Sequence, residues 1–204
     1  IAVTDVDGVI IKGSTKNDKI DATHHVKGQT LFPTGEEDVI SGRAGNDKIS
    51  SLGGNDTVSG GAGNDNLSGG DGIDTLKGGA GNDKLTGGNG LDTMFGNAGA
   101  DKFVFLQTDV ILGNDDPITD VISDFKHSQL DKIDLHLIDA NTGIGNDQKF
   151  LFIGNNHDFN GNAGELRYDS VQHLLQGDVN GDGTADFSIN LVNVTHLVKG
   201  DFIL

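Results

Sequence analysis

Eight aspartates recur at intervals of nine residues between positions 38 and 101 of this 204-residue chain. They are Asp38, Asp47, Asp56, Asp65, Asp74, Asp83, Asp92 and Asp101. Carboxylates are hard oxygen ligands, and a regular series of them repels itself unless a cation lies between its members. The chain has no Cys and the repeating segment has no His, so the ligand chemistry favours Ca²⁺ over Zn²⁺ or copper. The spacing therefore predicts a series of calcium sites.

Each aspartate occupies position 6 of a nine-residue row, and the rows run without slippage from Pro33 to Val104. The rows read Gly-Gly-x-Gly-x-Asp-x-apolar-x and are nearly clean from Gly60, Gly69, Gly78 and Gly87. Position 8 is apolar in every row: Ile40, Ile49, Val58, Leu67, Leu76, Leu85, Met94 and Phe103. A fixed period of this kind predicts a stacked solenoid, because each row buries its apolar residue only against neighbouring rows.

The row pattern predicts a turn followed by a three-residue strand whose middle side chain points inward. Glycines at positions 1, 2 and 4 allow positive φ and close stacking, and Asn at position 5 suits a left-handed turn. Two rows, or eighteen residues, make one coil, so odd and even rows form separate columns. We call Asp38, Asp56, Asp74 and Asp92 the first ladder and Asp47, Asp65, Asp83 and Asp101 the second, with a spacing of about 5 Å in each.

The rows resemble the RTX, or haemolysin-type, calcium-binding nonapeptide repeat. This resemblance implies an all-β fold: a right-handed parallel β-roll, which we expect to be capped by a C-terminal antiparallel, sandwich-like segment. It also implies that the position 6 aspartates and turn carbonyls, such as those of positions 2 and 4, bind several Ca²⁺ ions. Besides the eight aspartates, the implied site residues are Arg43, Gly45, Gly54, Gly61, Gly63, Gly70, Gly72, Gly79, Gly81, Gly88, Gly90 and Gly99. Rows 33–41 and 51–59 depart from the glycine pattern, so ions are less expected at that end.

The segment 1–32 is interpreted as degenerate rows and a loop. The stretch Gly13 to Asp21 reads as a worn row with Asp18 and Ile20 at positions 6 and 8, and Thr4 to Lys12 as an earlier row without the aspartate. Residues 22–32 break the period and are predicted to form a loop. His24 and His25 on that loop would point apart without a third partner, which argues against a zinc site.

After Val104 the sequence contains short segments in which apolar and polar residues alternate, which predicts the antiparallel cap over residues 105–204. The predicted strands are 103–106, 120–125, 132–137, 150–153, 165–168, 173–175, 187–192 and 202–204. This half resembles the C-terminal domain of the serralysin family in the stretches DKFVF, DVISDF, DKIDL, AGELRYD, QGDVNGDGTADFSI and the terminal DFIL. By that resemblance, Asp109, Asp120 and Asp131 close a last calcium site, although exposed strand-end aspartates would give the same pattern.

A second acidic motif lies between Asp178 and Asp186. Its spacing matches an EF-hand-like loop with Asp178, Asn180, Asp182 and Asp186 as ligands, but Ile189 stands where an EF-hand has its Glu. An acidic hairpin turn and a metal loop therefore remain open alternatives.

Charge and export signals indicate an extracellular destination. The net charge of −17 argues against nucleic acid or anionic membrane as partners, and no apolar run is long enough for membrane insertion. Ile1 to Ile11 lacks the basic start of a signal peptide. By the same resemblance, the terminal Asp-Phe-Ile-Leu belongs to a signal read by type I secretion machinery, although an ordinary edge strand fits as well. Weak calcium sites fill outside the cell, so we expect a secreted protein.

No complete active site is recognised in the sequence. There is no H-E-x-x-H and no G-x-S-x-G motif, and we expect a non-catalytic module, the C-terminal part of a larger exported hydrolase, epimerase or adhesin. An alternative function is binding of acidic polysaccharide, as in the repeat modules of alginate epimerases, with Lys48, Lys84, Lys102 and Arg43 as candidates. One Tyr and no Trp make a stacking surface poor. Ice binding is disfavoured because the turns lack a regular rank of Thr.

Overall fold

The computed structural model describes residues 8–24, 26, 32–107, 120–141, 143, 145 and 148–204. Within these residues the fold is all-β, with two short 3₁₀ turns at His127–Gln129 and Lys199–Asp201 and no α-helix. The described part of the chain accordingly contains no helix with the length and apolarity needed to span a membrane.

Seventeen strands follow one another in the part of the chain that the structure describes. They are β1 Ile10–Lys12, β2 Lys19–Ile20, β3 Val39–Ala44, β4 Lys48–Gly53, β5 Thr57–Ala62, β6 Asn66–Asp71, β7 Thr75–Ala80, β8 Lys84–Asn89, β9 Thr93–Ala98, β10 Lys102–Leu106, β11 Asp120–Ile122, β12 Lys132–Leu137, β13 Leu151–Asn155, β14 Glu165–Asp169, β15 Leu174–Asp178, β16 Phe187–Leu191 and β17 Phe202–Ile203.

From β1 to β12, odd and even strands separate into two sheets, which confirms the predicted columns. Sheet A has the order β1-β3-β5-β7-β9-β11-β16-β15-β14-β13, and sheet B the order β17-β12-β10-β8-β6-β4-β2. Val39 pairs with Thr57 and Lys48 with Asn66, so the parallel register advances by eighteen residues. The strands of the rows are six residues long rather than three, because backbone pairing continues from position 7 through position 3 of the next row.

The core of the roll is formed by two columns of stacked apolar side chains, one on the inner face of each sheet. The column of sheet A contains Ile11, Ile40, Val58, Leu76, Met94, Ile122 and Leu191. The column of sheet B contains Ile20, Ile49, Leu67, Leu85, Phe103, Ile133 and Phe202. All of these side chains are buried. The position 8 residues are therefore the core, as the sequence predicts, and both worn N-terminal rows supply a member.

The parallel ladders of both sheets continue beyond Val104. β11 pairs with β9, and β12 pairs with β10, so Ile122 and Ile133 extend the two core columns. Antiparallel pairing, which the sequence predicts for the whole cap, is found between β14 and β15 and between β15 and β16. The other paired strands of this half are parallel. For β11 and β12 this follows because the chain keeps alternating between the two sheets, so that each return to a sheet is a crossover connection.

Asparagines at position 5 connect successive turns through their side chains, a role that the sequence analysis did not assign. Oδ1 of Asn46 accepts the N–H of Asn64 at 2.8 Å, and Oδ1 of Asn64 accepts the N–H of Asn82 at 2.8 Å. The expected left-handed conformation is not observed, because positive φ is taken by glycine at position 4 and not by these asparagines. Position 5 thus forms a column of side-chain to backbone hydrogen bonds.

The corresponding column of position 5 residues on the opposite edge of the roll stops at Ile73. Oδ1 of Asn55 accepts the N–H of Ile73 at 2.8 Å, but Ile73 has no acceptor for the turn above it and is 56% exposed. We expect Ile73→Asn to raise the free energy of unfolding by about 1 kcal/mol, because it adds one such hydrogen bond to Leu91. Urea unfolding in saturating calcium measures this. Asn64→Ile is the reverse substitution and should lower stability; a gain in both variants would contradict the assignment.

Candidate metal centres

The turns between the two sheets are built on residues with positive φ at positions 2 and 4. Glycine at position 4 has φ between 108° at Gly54 and 142° at Gly99. Position 2 is left-handed even where it is not glycine, with φ of 78° at Arg43, 82° at Leu52 and 68° at Asn97. The position 1 glycines are not left-handed, contrary to expectation. The turn geometry is therefore set by positions 2 and 4, where glycine removes the steric cost.

Carbonyl groups of these positions stack closely along each column. A Cβ on Gly63 would overlap the carbonyl oxygen of Gly45, one coil below, and a Cβ on Gly79 would overlap that of Gly61. Position 2 and position 4 carbonyls are thus brought against the next turn of the same column. These are the carbonyls that the sequence analysis assigned to cation binding.

The aspartates form two hydrogen-bonded ladders along the edges of the roll. In the first, Oδ1 of Asp56 accepts the N–H of Asp38 at 2.7 Å, and the contact repeats to Asp74, Asp92 and Asp120. In the second, Oδ1 of Asp65 accepts the N–H of Asp47 at 2.8 Å, and the contact repeats to Asp83, Asp101 and Asp131. Both predicted ladders form, and the second also begins earlier, because Oδ1 of Asp47 accepts the N–H of Asp18 at 2.7 Å.

The second carboxylate oxygen has no hydrogen-bond partner in the middle of the ladders. This is the case for Oδ2 of Asp47, Asp65, Asp74, Asp83 and Asp101, all of which are buried. Burial raises the pKa of Asp74, Asp83 and Asp101 to about 6 and also raises the pKa of Asp47 and Asp65. A buried anionic oxygen without a partner is unfavourable. These atoms are thus placed to receive a cation.

Position 1 glycines give these oxygens their space, which the repeat consensus alone did not reveal. A Cβ on Gly69 would overlap both Oδ2 of Asp74, in its own row, and the carbonyl oxygen of Gly87, one coil above. Ser51 occupies position 1 in the divergent row 51–59, where its hydroxyl donates to the carbonyl of Gly69 at 2.8 Å. The side chain of Ser51 thus enters space that glycine leaves open in the other rows.

Aspartates at the ladder ends are satisfied by the protein. Oδ2 of Asp38 accepts the N–H of Thr34 at 2.7 Å, and its Oδ1 accepts the N–H of Val9 at 2.7 Å. Oδ1 of Asp131 accepts the N–H of Asp101 at 3.0 Å, and its Oδ2 accepts the N–H of Lys126 at 2.8 Å. Asp109, the third residue expected at the last site, lies outside the described residues. The end positions are thus stabilised differently from the middle ones.

The donor set of the middle turns fits Ca²⁺. In the described part of the chain, no three His, Cys, Asp or Glu side chains converge as a metal site. A cation at the unpartnered carboxylate oxygens must therefore complete its shell with carbonyl oxygens, which Ca²⁺ accepts and structural Zn²⁺ sites do not use. Nδ1 of His24 is hydrogen-bonded to the carboxylate of Asp21 at 2.8 Å, and His25 lies outside the described residues.

Comparison with known families agrees with this chemistry. Residues 34–67 and 68–103 match the family model of the RTX calcium-binding nonapeptide repeat, which represents four copies. The chain contains RTX calcium-binding repeats. Calcium binding is therefore a property of these rows. The serralysin-type C-terminal domain is not among the matches and stays a prediction.

No curated protein matches this chain. Among solved structures, it is similar to the solution structure of the AlgE6R3 subunit of the Azotobacter vinelandii mannuronan C5-epimerase, with 22% identity and a TM-score of 0.33. The alignment covers 99% of this chain and 86% of that one.

The acidic motif outside the RTX rows is a hairpin turn between β15 and β16. Oδ1 of Asp178 accepts the N–H of Gly181 at 2.6 Å and its Oδ2 that of Gly183 at 2.9 Å. Oδ2 of Asp186 accepts the N–H of Val179 at 2.7 Å. These carboxylates stabilise the turn from within, as the hairpin interpretation predicts.

The raised pKa values of the ladder aspartates predict how the stability of the folded protein depends on pH. Burial raises the pKa of Asp74, Asp83 and Asp101 in the folded state to about 6, well above the ordinary pKa of an aspartate, so without metal the folded state binds protons more tightly than the unfolded state. Metal-free protein should therefore gain stability as the pH falls from 7 to 4 and lose it as the pH rises through 6. Circular dichroism of metal-free protein between pH 8 and pH 4 measures this as a rising content of β-structure.

Saturating calcium should reverse the trend, because protons then compete with the cation for the same oxygens. Stability that falls with decreasing pH in both metal-free and calcium-loaded protein would contradict the assignment of these carboxylates.

Proposed function

We propose that this chain is a calcium-dependent folding module of an exported protein. The observation that supports it is the repeated buried Oδ2 without a partner, found in five aspartates of the two ladders. The net charge of −17 adds repulsion that opposes the compact state in the absence of cations. Calcium that binds the folded roll but not the unfolded chain supplies folding free energy.

We further propose which residues hold the ions. Asp47, Asp65, Asp74, Asp83 and Asp101 would provide Oδ2, and the stacked carbonyls of positions 2 and 4 would complete each shell. Bound Ca²⁺ supplies positive charge in the turns. The protein's part is to orient the carboxylates through the Oδ1 ladder and to keep space beside them with position 1 glycine. Asp38 and Asp131 are proposed to be structural, because N–H donors already engage both of their oxygens.

The coupling to export follows from the calcium difference across the cell envelope. Cytosolic calcium is too low to fill weak sites, so the chain would stay unfolded until it leaves the cell, as type I secretion requires. In the folded protein the C-terminal residues Phe202–Ile203 pair with β12, so a signal there would be accessible only before folding. Replacing the last four residues in a reporter fusion should stop export by a type I system without changing calcium-dependent folding.

Calcium titration followed by circular dichroism tests the folding function. Metal-free protein at pH 7.5 should be largely unfolded, and added CaCl₂ should produce β-structure cooperatively, whereas MgCl₂ at the same concentration should not. A chain that is equally folded in excess chelator would exclude this function.

We propose a second function, binding of acidic polysaccharide, which the position of three candidate lysines favours. Lys48, Lys84 and Lys102 lie at position 7 on sheet B, whereas Arg43 lies in sheet A at a left-handed turn position. Retention of calcium-loaded protein on immobilised polygalacturonate, but not on dextran, tests this function.

A further inference from the structure

A column of lysines runs along the outward face of sheet B at position 7. The strand register places Lys19 beside Lys48, Lys48 beside Asn66, Asn66 beside Lys84, Lys84 beside Lys102, and Lys102 beside Lys132. Five of the 14 basic residues of a chain with net charge −17 are thus aligned on one face. The same position of sheet A carries Val39, Thr57, Thr75 and Thr93 instead.

This alignment opposes stability in the free protein. Neighbouring strands are about 4.8 Å apart, and like charges placed directly across from each other destabilise a sheet. Local acids do not balance the middle of the column. Asp21 lies 3.1 Å from Lys19, and Asp134 lies 3.6 Å from Lys102, whereas Lys48 and Lys84 between them form no ion pair with the described residues. Asp71, nearer the middle, is at the turn end of β6 and accepts a hydrogen bond from Asn89 at 2.7 Å.

A column of hydroxyl groups runs beside the lysines on the same face. Ser50, Ser68 and Thr86 occupy position 9 and are paired with one another across β4, β6 and β8. An ammonium column next to a hydroxyl column complements a chain that carries both negative charges and hydroxyl groups. Because the charges lie on a line and not in a broad patch, this surface fits a linear polymer lying along the roll axis better than a membrane.

We infer that the strip formed by Lys48, Lys84, Lys102 and the hydroxyls between them is the site where a linear acidic polysaccharide binds, running perpendicular to the strands. The inference rests on the second proposed function and assigns its site. From Lys48 to Lys102 the strip spans three strand spacings, or about 14 Å. Asn66 is a gap in the lysine column. The strip exists only when the roll is folded, so binding requires calcium.

Two pairs of variants of the full chain test the assignment by affinity for polygalacturonate in calcium. Lys48→Thr/Lys84→Thr should bind at least about tenfold more weakly than the wild type, whereas Lys16→Thr/Lys77→Thr, with the same net charge but off the strip, should change binding less than about twofold. Asn66→Lys fills the gap and should strengthen binding about threefold, whereas Thr75→Lys, at the same position of sheet A, should not. Circular dichroism confirms folding of each variant.

The outcomes separate the site from the function. Wild-type protein that folds in calcium but does not bind polygalacturonate overturns both the function and the site. Equal losses in the two double variants, or equal gains from Asn66→Lys and Thr75→Lys, overturn the site alone, because binding then follows net charge or calcium bridging. Equal affinity for long-chain polyphosphate, which has no hydroxyl groups, overturns the assignment to a polysaccharide. Loss confined to the strip variant supports it.

Discussion

Gly69→Ala should lower the free energy of unfolding by about 2 kcal/mol in saturating calcium and weaken calcium binding. The added Cβ overlaps Oδ2 of Asp74 and the carbonyl oxygen of Gly87, so the carboxylate must move out of the position in which it is held for a cation. The effect is steric and electrostatic and does not come from the backbone, because Gly69 does not have positive φ. Urea unfolding and calcium titration of the same variant measure the two parts.

Gly53 and Ser51 provide controls for this substitution within the same roll. A Cβ on Gly53 would lie 3.5 Å from the carbonyl oxygen of Asp71, an ordinary contact, so Gly53→Ala should change stability by less than about 1 kcal/mol. Gly69→Ser should cost less than Gly69→Ala, since the hydroxyl of Ser51 already shows an acceptor within reach at this position. If Gly53→Ala proves as costly as Gly69→Ala, the contact with the carboxylate is not the cause.

Asp83→Asn should have opposite effects with and without calcium. The amide oxygen can still accept the N–H of Asp65, which now donates to Oδ1 at 2.8 Å, while the charge of the unpartnered Oδ2 disappears. Metal-free protein at pH 7 should gain about 2 kcal/mol, because the buried carboxylate has its pKa raised to about 6 by burial and is costly to ionise. Calcium-loaded protein should lose at least about 2 kcal/mol, because a charged ligand is missing.

Asp131→Asn belongs to the same ladder and should behave differently. Both carboxylate oxygens of Asp131 accept N–H groups, so the amide NH₂ of the introduced Asn must face one of these donors. This destabilises the protein both with and without calcium. Thermal unfolding of the two variants in calcium, and their folded fraction in chelator with an osmolyte that brings metal-free wild type into its folding transition, measure the four differences. A loss for Asp83→Asn without metal would show that its carboxylate is satisfied by the protein after all.

The sequence by itself determined the architecture of the repeating part. A period of nine with one apolar residue per row requires that each row stack on others, so two parallel sheets, the two aspartate ladders and the buried position 8 residues could all be predicted. Calcium could be predicted as well, because hard oxygen ligands without Cys or His leave few alternatives. The local pattern was sufficient there, since the strand register joins residues at equivalent positions of rows eighteen residues apart.

Only the tertiary structure decided what happens where the period ends or varies. Residues 120–122 and 132–137 show no glycine pattern, yet they continue the parallel sheets, because the chain goes on crossing from one sheet to the other after the rows end. The satisfied carboxylates of Asp38 and Asp131 depend on N–H donors outside the regular rows, which the repeat consensus does not contain. The lysine column likewise emerges from strand register: Lys48 and Lys102 are 54 positions apart in the sequence but share one line on the sheet.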